Sequence, residues 1–245
     1  MPRDRERSMP ILILLPNLVT ITGLCAGLTA IRFVMVGRLD YAAMLIIFAA
    51  AIDGLDGLIA RRLNAQSTFG AELDSLADFL NFGVVPSLMV YHFALAGTYT
   101  TNWVFVLVYT ICACLRLARF NTNRDTPPPP GTKPHFVGVP APGGAMLALL
   151  PMFVGFLGLA DFSDWSLAYG IYLALVGLLM TSRIPTISAK AMRIPRDKTV
   201  FVLIGMAIAI GLLVTRFWLL MVLAGAGYAV VTLWAIVAYL RGKRP

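Results

Sequence analysis

Four aspartates stand where a chain this apolar has little reason to place them. Asp53 and Asp56 lie near the end of one apolar run, AAAIDGLDGLIARRLN. Asp74 and Asp78 lie at the start of the next, STFGAELDSLADFLNFG. A charge at membrane depth costs about 2.5–3.5 kcal/mol on insertion scales, and four carboxylates held together would also repel one another. Their spacing is helical. Asp53 and Asp56 are i, i+3 and Asp74 and Asp78 are i, i+4, so each pair shares one helix face. Gly57 and Ala60 extend the first face, and Gly70 lies one turn before Asp74 on the second. Two adjacent antiparallel helices would join the pairs near one membrane boundary. The small residues would let another backbone or a nucleotide come close. The cost of the charges then calls for a cation. All-carboxylate ligation suits a hard ion that keeps waters and takes phosphate oxygens, Mg²⁺ first and Mn²⁺ close behind. A structural network with Arg61 or Arg62 would explain one such aspartate. Four in paired spacing point to function, because intramembrane ionisable residues carry function by default. His92 and His135 are far apart and have no ligand spacing, so no zinc site is expected.

The elements that must position these residues are membrane helices. Of 245 residues, 59% are hydrophobic and 13% charged, and mean hydropathy is +0.81. The charged share is about half the usual one, too little polar surface to coat a water-soluble particle. A spanning helix needs about 20 mainly apolar residues. Eight runs qualify, over 16–36, 41–61, 70–96, 100–121, 140–160, 165–182, 199–215 and 217–240, and predict an all-α polytopic bundle. The last two runs, with almost nothing between them, also fit a re-entrant pair. Very short connections at 37–40, 97–99 and 215–217 force antiparallel neighbours. With the N-terminus in the cytoplasm, seventeen of the twenty lysines and arginines fall on the cytoplasmic side, all but Arg32, Arg38 and Arg216. This is a strong positive-inside pattern, and it puts both termini and the aspartates on that side of the cell membrane. The net charge of +8 is therefore read as topology, with no nucleic-acid partner expected.

Three stretches divide the chain: a cytoplasmic segment 1–15, a catalytic membrane domain 16–198 of about six spans, and two further spans with a basic tail over 199–245. The N-terminal run is long enough to span and is read as a retained first helix, not a removed signal peptide. Four consecutive prolines in the 122–139 stretch exclude helix interior and favour an extended spacer. Cys25, Cys112 and Cys114 have no metal-site spacing and are expected to pack.

Written out, the acidic stretch is Asp53-x-x-Asp56-Gly57-x-x-Ala60-Arg61, eight residues, then Gly70-x-x-x-Asp74-x-x-x-Asp78. This resembles the signature of the CDP-alcohol phosphatidyltransferases, with every position filled. The resemblance implies that Asp53, Asp56, Asp74 and Asp78 bind one or two divalent metals holding the CDP diphosphate. It implies that Gly57, Ala60, Arg61 and Gly70 line the CDP pocket together with Asp53, Asp56 and Asp74. Asp78 would be the general base that deprotonates an acceptor hydroxyl.

Further stretches are similar to the bacterial integral-membrane phosphatidylserine synthases within that family: LPNLVTITGLCAGL (15–28), GAELDSLADFLNFGVVPSLMVY (70–91), CLRLARFNTN (114–123), FVGVPAPGGA (136–145) and LLMTSRIPTISAK (178–190). That branch implies CDP-diacylglycerol and L-serine as substrates, and by analogy a homodimer. Arg116, Arg119 and Arg183 close spans four and six on the side of the aspartates, where guanidinium groups suit a lipid phosphate or a serine carboxylate. They serve equally as positive-inside anchors. Asn17, Thr20 and Asn81 are the other polar candidates for acceptor or lipid-phosphate contacts, and Asn17 and Thr20 equally suit capping or packing. Choline, glycerol 3-phosphate and inositol phosphate remain alternative acceptors. A secondary transporter is the competing class, but it commonly shows inverted repeats and midplane sites. No repeat is detected here, and these aspartates lie toward one surface.

Overall fold

Turn and cap residues cut the apolar runs into helices at chemically legible points. The computed structural model describes residues 14–63, 67–97, 102–122, 136–160, 165–182, 185–186 and 199–241. Helix α1, Leu15–Met35, has a proline in its first turn, where a missing N–H costs nothing. It is followed by Gly37 at φ 74°, a left-handed residue that reverses the chain within a few positions. Helix α2, Leu39–Arg62, returns alongside. Helix α3, Thr68–Asp78, is N-capped by Ser67, whose hydroxyl accepts from the Gly70 N–H at 3.0 Å. The coil then continues unbroken through a π-helical turn Phe79–Val84, helix α4 Val85–Val90 and a second π-helical turn Tyr91–Leu95. The remaining helices are α5 Trp103–Thr122, α6 Ala141–Phe156, α7 Ser166–Thr181, α8 Thr199–Thr215 and α9 Phe217–Leu240.

Each of the eight apolar runs is therefore a helical rod. Among the described residues, five rods are long and apolar enough to cross a membrane: Leu15–Met35, Leu39–Ile59, Thr68–Leu95, Trp103–Thr122 and Phe217–Leu240. Ala141–Phe156, Ser166–Thr181 and Ile204–Thr215 are shorter apolar helices. Among the described residues the only strands are β1 Phe136–Val137 and β2 Pro185–Thr186, a two-residue antiparallel ladder. β1 falls within the stretch read from sequence as loop. Gly138 follows it at φ 84°, and a Cβ there would sit 2.7 Å from the Met180 carbonyl and 2.8 Å from that of Ser182. Only glycine lets the end of α7 pass so close.

Contacts group the chain into two compact units, Met1–Asn81 and Phe82–Pro245. In the first, α1 and α2 form a hairpin faced with small residues. Ala26, Gly27, Ala30, Ala42, Ala43 and Ala49 are all buried, which allows close backbone approach without large side chains. Helix α3 joins them against α1. The Asn81 amide donates to the Gly23 carbonyl at 3.2 Å, and the bare Gly27 leaves room for its Oδ1.

In the second unit α5 packs on α7, and α6 packs on α9 and on α4. Two prolines inside rods are answered by tyrosines. Pro86 has no N–H for the Phe82 carbonyl, and the Tyr109 hydroxyl donates to that oxygen at 2.9 Å. Pro151 leaves the Leu147 carbonyl without its helical donor, and Tyr172 supplies one at 2.7 Å. Backbone groups freed by proline in lipid need such a neighbour. Many large apolar side chains face outward, among them Leu18, Leu28, Leu107, Ile111, Leu175 and Leu233. This is the inverse of a water-soluble surface and the pattern a bilayer rewards.

Candidate metal centre

The site lies wholly within the first unit. Helix α2 brings Asp53 and Asp56 onto one face, and α3 brings Asp74 and Asp78 onto another. One oxygen each from Asp53, Asp56 and Asp74 lies within 4.8 Å of the others. Asp53 is also within hydrogen-bonding reach of Asp74 and Asp78. A single cleft is lined by all four aspartates together with Thr20, Gly23, Ala49, Ile52, Ala77 and Asn81. Asp78 shares that cleft but stands outside the three-carboxylate cluster.

Carboxylates this close cannot all stay ionised without a shared proton or a cation. Asp56 is only 6% exposed, so water does not offset its charge. The donors are all oxygen and the geometry is compact. Asp53, Asp56 and Asp74 therefore fit a hard divalent ion. The spacing of the two aspartate pairs anticipated this convergence.

Asp56 is reached from α1. The Thr20 hydroxyl, itself 6% exposed, donates to Asp56 Oδ2 at 2.7 Å. Thr20 Oγ1 also lies 3.1 Å from the Pro16 carbonyl one turn back. Asn17, one turn before Thr20, sets its Oδ1 beside Gly70, where a Cβ would come within 2.7 Å of it and 3.1 Å of Ser67 Oγ. The space at Gly70 is thus filled by the protein. Among the described residues the space at Gly57 is not, since the nearest side-chain atom to a Cβ there is Arg61 Nη2 at 4.0 Å. Arg61 itself is exposed at the end of α2. Ala60 lies on the same helix, but its side chain is outside the described residues.

Asn81 is 3% exposed and lines the cleft. Arg116 and Arg119 lie on α5 in the second unit. Arg119 Nη1 donates to the Thr181 carbonyl at 2.8 Å and so caps the C-terminal end of α7. The Nε of Arg116 is buried. Arg183 lies outside the described residues. Sequence reasoning passed over Gly23, Ala49, Ile52 and Ala77, the apolar lining. It named Thr20 without its partner, although Asn17, Thr20 and Gly23 fall on one stripe of α1, the signal that this helix walls the site.

Comparison with known proteins bears on this geometry. The family model for CDP-alcohol phosphatidyltransferase matches residues 13–176, which include the whole centre. The chain is 40% identical over 213 residues to the CDP-diacylglycerol–serine O-phosphatidyltransferase of Mycobacterium tuberculosis, covering 84% of this chain and 72% of that protein. The protein of the same name from Bacillus subtilis is 36% identical over 139 residues, 57% of this chain and 75% of the relative. That from Methanocaldococcus jannaschii is 33% identical over 175 residues, 71% and 73% respectively. The match covers most of the chain, and the aspartates of the signature meet in one cleft, so the chain belongs to the CDP-alcohol phosphatidyltransferase family.

Proposed function

We propose that this chain makes phosphatidylserine, transferring the phosphatidyl group of CDP-diacylglycerol to L-serine with release of CMP. The observation that carries the reading is the convergence of both aspartate pairs in one cleft of a chain 40% identical to a CDP-diacylglycerol–serine O-phosphatidyltransferase. Asp53, Asp56 and Asp74 would hold the divalent ion, Mg²⁺ or Mn²⁺. When bound, that ion supplies neutralisation of the diphosphate and of the charge developing on the leaving CMP.

The chain's own groups account for the remaining steps. Asp78, in the cleft but outside the three-carboxylate cluster, would take the proton of the serine hydroxyl. The serine oxygen then forms its bond to the phosphatidyl phosphorus as the bond from phosphorus to the CMP oxygen breaks. Gly57, Ala60 and Arg61 serve the nucleotide, and Gly70 supports that wall by making room for Asn17. The space above Gly57, which no described residue fills, supports this. Arg116, Arg119 and Arg183 offer guanidinium groups for the lipid phosphate and the serine carboxylate. Arg119 retains donors beyond the one it gives Thr181. Asn81 and Asn17 complete the polar lining.

The catalytic domain is taken as residues 16–198 of a bundle crossing the bacterial cell membrane eight times. Both termini and the site face the cytoplasm, and the protein works as a homodimer. The test is an acceptor screen of purified protein with CDP-diacylglycerol and Mg²⁺ or Mn²⁺, read as CMP release. Serine should drive release. Release with choline, glycerol 3-phosphate or inositol phosphate, and none with serine, would reassign the acceptor within the family.

A further inference from the structure

We infer that Thr20 is a positioning residue for the metal ligand Asp56, not a contact for the acceptor or the lipid phosphate. The inference rests on the reading of the aspartates as a metal centre. Thr20 and Asp56 are each 6% exposed, so the carboxylate depends on protein donors for its solvation. The 2.7 Å separation is that of a strong O–H···O⁻ bond. A threonine hydroxyl has one proton, and Thr20 has two acceptors for it, Asp56 Oδ2 at 2.7 Å and the Pro16 carbonyl at 3.1 Å. An ionised carboxylate outcompetes a neutral carbonyl that already accepts a helical N–H.

The bond also fixes geometry. It ties one oxygen of Asp56 to α1 and so sets the rotation of the carboxylate. The remaining lone pairs are then presented toward the cluster with Asp53 and Asp74. Helix α1 can hold this position because Asn81, in the π-helical turn that follows α3, ties it at Gly23 and its face against α2 is built of small buried residues. Partners that orient a ligand in this way are worth about 10–100-fold in metal affinity when removed. Because its proton is committed to Asp56, the hydroxyl has none left to offer a substrate oxygen.

The test compares Thr20→Val, nearly the same shape without the hydroxyl, with Thr20→Ser, which keeps it. Binding of Mn²⁺ alone to the purified, metal-stripped protein is followed by the electron paramagnetic resonance signal of free Mn²⁺, without substrates. Thr20→Val should weaken Mn²⁺ binding about 10–100-fold, and Thr20→Ser should restore most of it. At saturating Mn²⁺ the KM for serine should be that of the wild type. Thermal unfolding in a chelator, where the metal cannot contribute, should show both variants folded. Unchanged Mn²⁺ affinity in Thr20→Val, or a raised serine KM at saturating metal, would overturn the assignment while leaving the metal centre intact. Failure of the wild type itself to bind Mn²⁺ would overturn the metal reading and the inference with it.

Discussion

At the residue scale the four aspartates divide by position. Three form a compact carboxylate cluster and the fourth shares the cleft. That division predicts different defects. Asp78→Asn keeps the shape and removes the basicity. It should retain CDP-diacylglycerol binding and lose about 10²–10⁴-fold in turnover, the range of general-base catalysis, measured as CMP release against equilibrium lipid binding. Asp53→Asn should instead weaken metal-dependent nucleotide binding, because a ligand is lost. Near-normal turnover by Asp78→Asn would discard the base. The two signature glycines divide in the same way. At Gly70 an added methyl would meet Asn17 and Ser67, so Gly70→Ala disturbs the protein itself. At Gly57 it would meet no side chain of the described residues nearer than Arg61 Nη2 at 4.0 Å, and alanine favours helix over glycine by about 1 kcal/mol. Gly57→Ala should therefore unfold no earlier than the wild type, yet show a raised KM for CDP-diacylglycerol. A normal KM would mean that no nucleotide occupies that space.

At the element scale the sequence was most legible where period and length agree. The eight apolar runs are eight rods, and the i, i+3 and i, i+4 spacing correctly predicted that the aspartates would share a cleft. What periodicity cannot carry is the partner of a polar group on another helix. Thr20 reads from its own helix equally as an acceptor or lipid-phosphate contact and as a capping or packing residue, and only the approach of α2 shows Asp56 as its partner. The π-helical turns were invisible for a related reason. Pro86 marks a break in the backbone hydrogen bonding, but whether the chain kinks, ends or is mended depends on Tyr109, more than twenty residues later. This mending makes a prediction. Tyr109→Phe leaves a buried carbonyl without a donor and should cost about 1–3 kcal/mol, read as earlier unfolding in detergent. In a Pro86→Ala background the restored N–H competes for the Phe82 oxygen, so the same Tyr109→Phe change should cost less. Equal losses in the two backgrounds would separate the tyrosine from the proline. The short ladder between β1 and β2 was unreadable from two residues, because pairing that brief has no period.

At the scale of the whole molecule, helix length and charge placement give different weight to the crossing count. The five long rods would by parity leave the termini on opposite faces, whereas eight crossings return them to one. Helices α6 and α7 have 16 residues each, about 24 Å at 1.5 Å per residue, which falls short of a hydrocarbon core of about 30 Å. A short helix can still cross where the bilayer thins around it, at a cost of fractions of a kcal/mol per Å of mismatch. The basic residues favour that outcome. Lys133, Arg183, Lys190 and Arg193 lie in the connections before α6 and after α7, and the segment between the two helices, 157–165, contains no lysine or arginine. That is the asymmetry expected of a pair that crosses and returns. Single cysteines at positions 128 and 163, introduced after Cys25, Cys112 and Cys114 are replaced, should therefore be labelled from opposite sides of intact cells. The position-163 cysteine should react with an impermeant maleimide from outside, and the position-128 cysteine only after permeabilisation. A position-163 cysteine that never reacts from outside would make α6 and α7 a re-entrant pair. The crossing count would then fall to six with both termini still cytoplasmic, because removing two crossings preserves parity. Reaction of both cysteines from outside would be fatal to the cytoplasmic assignment itself, since it would put the most basic connections of the chain on the side where membrane insertion disfavours them.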